Sequence, residues 1–236
     1  MNTINILPFE WSAFDDTFTR SGIHIFRLSV NSHLKQLDIY TKILDSEEIL
    51  RASAFYKNED RERFIICRAV LKKLLGLYLK RSPELIKIIP GQNKKPVIKD
   101  DRYLHFNVSH SKDCIAFAVA DTDTGIDVEY MDENFNYHSI EEMCFTPAEI
   151  NYIKESSIPV NEFFKLWTRK EALLKADGQG LNNDMNKLNC LKDFHVSEIK
   201  GSHYNNYVIN SFKIEKNYIA SIAYNCPEKE LTFYRI

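Results

Sequence analysis

Cysteine is sparse and poorly placed for cross-linking. The five cysteines, Cys67, Cys114, Cys144, Cys190 and Cys226, are odd in number and widely spaced. No two have zinc-ligand spacing, and the set does not read as the disulfide framework of a secreted domain. No apolar run approaches the roughly 20 residues of a membrane-spanning helix. The opening residues, MNTINILPFEW, lack a basic stretch followed by an apolar core, so no signal peptide is read there. An excess of one charge is missing as well. Lys and Arg number 31 against 33 Asp and Glu, for a formal charge of -2. No global field therefore points to nucleic acid or to a membrane surface. These absences predict a cytoplasmic protein whose anion sites, if any, arise from local clustering. Several reaction motifs are absent too. There is no Walker GxxxxGK[ST], no strand-linked GxGxxG, no HExxH and no GxSxG.

What is present suits a soluble globular protein. The 236 residues allow one large domain or two small ones, and 44% of them are apolar, enough to fill a core. GIHIFRLSV (22–30) alternates and predicts a strand. A helix is expected over 45–57, capped by Asp45 or Ser46, and a longer one from Asn58 to about Lys80, broken at Ser82-Pro83. IIPGQNKKPVI reads as a turn-rich loop closing on a strand at Val97. HFNVSHS and CIAFAVA read as paired strands, and DTDTG as a turn before a strand over 125–130. The second half repeats this loosely. A helix is expected at 138–144, then another in FTPAEINYIKE with Thr146 as cap and Pro147 at its first position. A longer helix follows from Val160 to Ala176, stopped by DGQGL, and then strands to the C-terminus. No repeat of fixed period and no low-complexity linker occurs. The fold class is α+β, with halves expected at 1–122 and 123–236.

GIDVEYMD (125–132) carries the first chemical signal. Ile126 and Val128 alternate with Asp127 and Glu129, so both acids leave one face of a strand. Two neighbouring carboxylates repel each other, and something must offset that. In FFKLWTRKEALLKADGQGL, Phe163, Phe164, Leu166, Trp167, Leu173 and Leu174 supply an apolar side, while Lys170, Glu171 and Lys175 are polar. Glu171 and Lys175 alone read as an ordinary i,i+4 pair, worth about 0.2–0.5 kcal/mol. With Asp127 and Glu129 another reading opens, in which three carboxylates converge on one hard cation such as magnesium and lysines contact phosphate. On the helix from Arg61, the residues Arg61, Arg68 and Lys72 read as a solvated face. Arg63 falls between Val70 and Leu74 on the apolar arc. A guanidinium there needs an anion, which leaves an internal ion pair and a phosphate ligand both open. NVSHS places Ser109, His110 and Ser111 at a strand end, and NKKP places Lys94 and Lys95 in a loop. Both suit a phosphate or nucleotide edge, and both are common on plain surfaces.

Taken together, these residues resemble the 4'-phosphopantetheinyl transferase family, in its longer, surfactin-synthetase-activating type. GIDVE matches the family's G-[IV]-D-x-E strand, and WTRKEALLKADGQGL its W-x-x-K-E-x-x-x-K-x-x-G-x-G-L helix. NKKPVI with FNVSHS resembles the upstream G-K-P and F-N-x-S-H-S pair. FYKNEDRERFIICRAVLKKLL resembles the basic helix before them. The resemblance runs in order over roughly residues 50–182.

It implies two α+β halves related by a pseudo-twofold, each a small, mostly antiparallel sheet packed on a long helix, with coenzyme A bound between them. The implied reaction is magnesium-dependent. It moves the phosphopantetheine arm of coenzyme A to a serine of a peptidyl or acyl carrier protein and releases 3',5'-ADP. By resemblance, Asp127, Glu129 and Glu171 hold the metal, with Glu171, Lys175 and Asp127 catalytic. Lys170 and Lys175 lie around the diphosphate, Arg63 and His110 at the 3'-phosphate, and Lys95, Ser109 and Arg51 at the nucleotide end. Glu171 is also a candidate base for the serine hydroxyl. A monomer is implied, with neither nucleic acid nor membrane as partner. Two departures stand out. Lys94 replaces the glycine before Lys-Pro, and Glu47 and Glu48 stand where a second base near Arg51 is usual. Competing readings are a catalytically silent module that binds carrier protein, and a different magnesium-dependent nucleotide phosphohydrolase.

Overall fold

The computed structural model describes residues 4–15, 21–178, 185–195 and 207–236. In chain order the first elements are β1 (Ser12–Ala13), β2 (Ile23–Ser29), the short helices α1 (Val30–His33) and α2 (Leu37–Thr41), then α3 (Ser46–Ser53) and α4 (Asn58–Leu79). A small ribbon follows, β3 (Ile88–Pro90) with β4 (Pro96–Ile98), and then β5 (His105–Ser111), β6 (Cys114–Ala120) and β7 (Thr124–Tyr130). The rest comprises α5 (Glu141–Cys144), α6 (Pro147–Lys154), α7 (Pro159–Asp177), β8 (Phe194–His195), β9 (Tyr207–Glu215), β10 (Tyr218–Tyr224) and β11 (Leu231–Arg235).

Helix ends follow local chemistry. Asp45 caps α3 and Thr146 caps α6, each in a reciprocal box with a glutamate, Glu48 or Glu149. Pro147 takes the first position of α6, where its missing N–H costs nothing. Gly178 ends α7 in the left-handed region at φ 78°. The rest of that predicted stop, Gln179 to Leu181, lies outside the described residues.

The two main sheets pack face to face between two long helices. The first has strand order β1-β11-β2-β6-β5 and the second β7-β10-β9-β8. Alternation sorts the side chains. On β6, Ile115, Phe117 and Val119 join the core under α4, while Ala116, Ala118 and Ala120 face the other sheet. On β7, Ile126 and Val128 enter that shared inter-sheet core, which turns Asp127 and Glu129 toward α7. The architecture is α+β, as the pattern predicts.

Two expectations need correction. The final strand does not stay in the second half. β11 crosses back and pairs in parallel with β2, Phe233 opposite Ile25. The opposite exchange occurs at the N-terminus, where Leu7 N–H donates to Ser211 O at 2.8 Å. The line at residue 122 therefore separates most, not all, of each sheet. Arg68 and Lys72 are not on a solvated face: Lys72 is fully buried, bonding Glu48 Oε2 at 2.9 Å, and Arg68 Nε lies 3.5 Å from Glu48 Oε1. Glu48, which stands where the family has a base, is thus the counter-ion of two basic side chains on α4. Lys94 adopts φ 64°, the left-handed region that favours glycine, so the residue it replaces fits the backbone better than it does.

Candidate active site

Gly125 brings the decisive elements together. A Cβ there would lie 2.8 Å from the carbonyl carbon of Lys175 and would also strike backbone atoms of Ala172 and Ala176. Without one, α7 lies directly on β7. The face of β7 that carries Asp127 and Glu129 then meets the α7 stripe of Trp167, Glu171 and Lys175, spaced i, i+4, i+8. These five residues with Val108, Ser109 and His110 line a cavity of about 330 Å³.

β5 supplies hydroxyls from the other side. Asn107, Ser109 and Ser111 alternate toward β7 and act as its missing ladder. Asn107 Oδ1 accepts from Ile126 N at 2.9 Å, and Ser111 Oγ accepts from Tyr130 N at 3.0 Å. Ser109 Oγ donates to Asp127 Oδ1 at 2.8 Å, and Ser111 Oγ to Glu129 Oε2 at 2.9 Å. Lys175 Nζ donates to Asp127 Oδ1 at 2.6 Å and to Ser109 Oγ at 3.2 Å. The repulsion between the two strand acids is thus met by this chain's own donors.

It is not fully relieved. Burial pushes Asp127 above the usual carboxylate range, against the pull of Lys175 and Ser109. Burial and the charge of Asp127 raise Glu129. Glu171 is pushed up to about 7, by burial first and then by Asp127. Asp127 Oδ2 and Glu171 Oε1 are buried without a hydrogen-bond partner among the described residues. Among those residues no three His, Cys, Asp or Glu side chains are gathered closely enough to hold an ion as they stand. The donor set nevertheless fits a hard cation chemically: all oxygen, with two orphaned carboxylate oxygens in one cleft.

A second cavity of about 220 Å³ adjoins the first and shares Val108 and His110 with it. Arg51, Phe64, Cys67, Arg68 and Phe106 are among its walls. The guanidiniums of Arg51 and Arg68 lie 5.1 and 5.7 Å from the centre of the Phe64 ring. Burial and the nearby charge of Arg63 push His110 below its usual value. Arg63 itself is ion-paired with Asp60 on its own helix, the first of the two readings its wheel position left open.

Two expected residues face elsewhere. Lys170 is fully buried on the far side of α7, where Nζ bonds Glu149 Oε2 at 2.8 Å and Met185 O at 2.9 Å. One residue is about 100° of helix, so Lys170 cannot share the face of Glu171. Lys95 donates to Ala176 O at 2.8 Å, tying its loop to the end of α7. It lines a third cavity, of about 610 Å³, formed by residues 95–106. Trp167 and Arg68 were not expected at a site. The spacing of Trp167 from Glu171 is a legible signal, whereas Arg68 has none beyond its i+4 distance from Phe64.

Comparison with known proteins bears on what this cleft is for. A family model of the 4'-phosphopantetheinyl transferase superfamily matches residues 123–223, and one of the 4'-phosphopantetheinyl transferase N-terminal region matches residues 31–122. The 4'-phosphopantetheinyl transferase HetI of a Nostoc species is 34% identical over 173 residues, spanning 70% of this chain and 72% of its own. The chain belongs to the 4'-phosphopantetheinyl transferase superfamily. It is an enzyme of the transferase class, as its relatives are named. Two more are the 4'-phosphopantetheinyl transferase gsp of Aneurinibacillus migulanus and Sfp of Bacillus subtilis. The first is 29% identical over 194 residues (80% of this chain, 70% of the relative), the second 23% over 194 (80% and 85%). The boundary between the two superfamily matches falls at the turn between β6 and β7. No helix among the described residues is long and apolar enough to cross a membrane.

Proposed function

We propose that this enzyme moves the 4'-phosphopantetheine arm of coenzyme A to a serine of a peptidyl or acyl carrier protein, with magnesium, releasing 3',5'-ADP. One observation carries the reading. A cleft of three repelling carboxylates, Asp127, Glu129 and Glu171, opens directly into a cavity walled by Arg51, Arg68 and His110. Coenzyme A is a long polyanion with a diphosphate in its middle and a 3'-phosphate near one end. The two adjoining cavities suit those two ends of its charge. The carboxylates would hold magnesium, which would supply positive charge against the diphosphate.

The chain's own groups have separable tasks. Lys175 neutralises charge on the diphosphate, and its present partner Asp127 is the group it would leave or share. Glu171, on the wall of the same cavity, is the candidate acceptor for the proton of the serine hydroxyl. His110 contacts the 3'-phosphate, with Arg51 and Arg68 at the nucleotide, and Arg63 would join them only on releasing Asp60. Ser109 holds Asp127, Lys95 positions the loop beside the nucleotide, and Lys170 anchors α7. One chain supplies both cavities, so a monomer suffices. Incubation with coenzyme A, magnesium and a panel of apo carrier proteins tests this. A mass gain of one phosphopantetheine on a carrier serine is expected. Coenzyme A breakdown with no carrier modified would favour a phosphohydrolase, and binding without either product a silent module.

A further inference from the structure

From sequence alone Ser111 is a candidate for a phosphate or nucleotide edge at the end of its strand. The structure gives its hydroxyl other work. β5 and β7 are edge strands of different sheets, so side chains rather than a backbone ladder join them. Ser111 bridges the two. Its Oγ accepts from Tyr130 N at 3.0 Å and donates to Glu129 Oε2 at 2.9 Å. A serine hydroxyl has a single proton. The β7 amide fills one lone pair, and the proton goes to Glu129, which leaves none to donate to a phosphate.

The next residue holds the bridge in place. Lys112 turns the β5–β6 hairpin in the left-handed region, at φ 47°, and its Nζ lies 3.4 Å from the centre of the Tyr130 ring. That ring in turn meets Tyr218 edge-on, with centroids 5.2 Å apart. Ser109 makes the equivalent bond to Asp127, but its own N–H partner is Lys175, a side chain that can rotate away. The N–H partner of Ser111 is backbone and cannot. We propose that Ser111 is a positioning residue, which fixes the direction of the Glu129 carboxylate so that it can share one cation with Asp127 and Glu171. The consequence for the cation rests on the function proposed above, whereas the bridge can be tested without it.

Hydrogen exchange at the Tyr130 amide reads the bridge. Ser111→Ala removes the acceptor and is expected to speed that exchange about tenfold, while Ser111→Thr, which keeps the hydroxyl, restores it. Unchanged exchange in Ser111→Ala overturns the bridge. Manganese, a hard cation that suits carboxylates, reads the positioning when titrated into the enzyme with coenzyme A and followed by the paramagnetic resonance of the free ion. Ser111→Ala is expected to bind it about tenfold more weakly, and Ser111→Thr as the wild type does. In a Glu129→Ala background the further change Ser111→Ala is expected to add nothing, because Ser111 acts through Glu129. Unaltered binding in Ser111→Ala, or an equal loss with and without Glu129, overturns the positioning role. A wild type that binds no manganese would instead overturn the function, leaving the exchange to decide the bridge.

Discussion

Lys170 and Lys175 carry the same charge on the same helix and do opposite work. Lys170 and Glu149 are both completely buried, so Lys170→Met leaves an uncompensated carboxylate in the core. A loss of about 3–5 kcal/mol is expected, largely recovered in the double variant with Glu149→Gln. Chemical denaturation of the wild type and the two variants checks this, and a stable single variant would contradict it. Lys175 is 28% exposed, so Lys175→Met should cost less stability and remove transfer from the folded enzyme. Glu171 gives the pH dependence. Its folded value of about 7 lies above the ordinary glutamate value of 4.5, so between those values the folded protein holds a proton that the unfolded chain has lost. The ligand-free enzyme should therefore lose stability as pH rises through that window, by roughly 1–3 kcal/mol. Glu171→Gln should flatten this part of the profile and melt higher at pH 8. An unchanged slope in urea melts at pH 5 and pH 8 would argue against the raised value.

Elements that local chemistry dictates were legible in the sequence. Thr146-Pro147 announced α6, Asp45 announced α3, and the alternation of CIAFAVA announced a buried strand. The face shared by Asp127 and Glu129 followed from period two alone, and Glu171 and Lys175 from the helical period. What was hidden depended on partners distant in sequence. Lys72 looks solvated until Glu48, on another helix, is placed beside it. Lys170 looks like a phosphate ligand until Glu149 claims it. Trp167 reads as apolar, and only tertiary structure places it on the wall of the cleft with Glu129 and Glu171. Gly125 shows how two elements make one site. Gly125→Ala places a methyl against the backbone of α7, which cannot yield without moving the helix. A loss of at least about 3 kcal/mol is expected, together with loss of transfer at temperatures where the variant is folded. A variant as stable as wild type would mean that α7 does not rest on β7.

At the scale of the molecule, the chain interleaves its ends. β11 closes the first sheet, Phe233 stacks on Phe9 with centroids 4.1 Å apart, and the inter-sheet core draws on both halves. A fragment of residues 1–122 would lack β11 and the covering sheet. It is expected to remain unfolded by circular dichroism, and the whole chain to melt in one transition. A folded fragment or two separate transitions would show independent halves. The local sequence could not reveal this, because no pattern in Leu231–Arg235 distinguishes a strand that stays from one that crosses.

The cleft between α7 and β7 sits at this junction, and its carboxylates are the centre of the account. The most direct test is the rate of phosphopantetheine gain on a carrier protein, read by intact mass, for wild type and Glu171→Gln at a temperature where both are folded. Removing a group proposed both to bind the cation and to take the serine proton should slow transfer by about 10²–10⁴-fold, while the ligand-free variant is no less stable than wild type. A variant that melts normally and still transfers within a few-fold of the wild-type rate would contradict the assignment of this cleft as the active site.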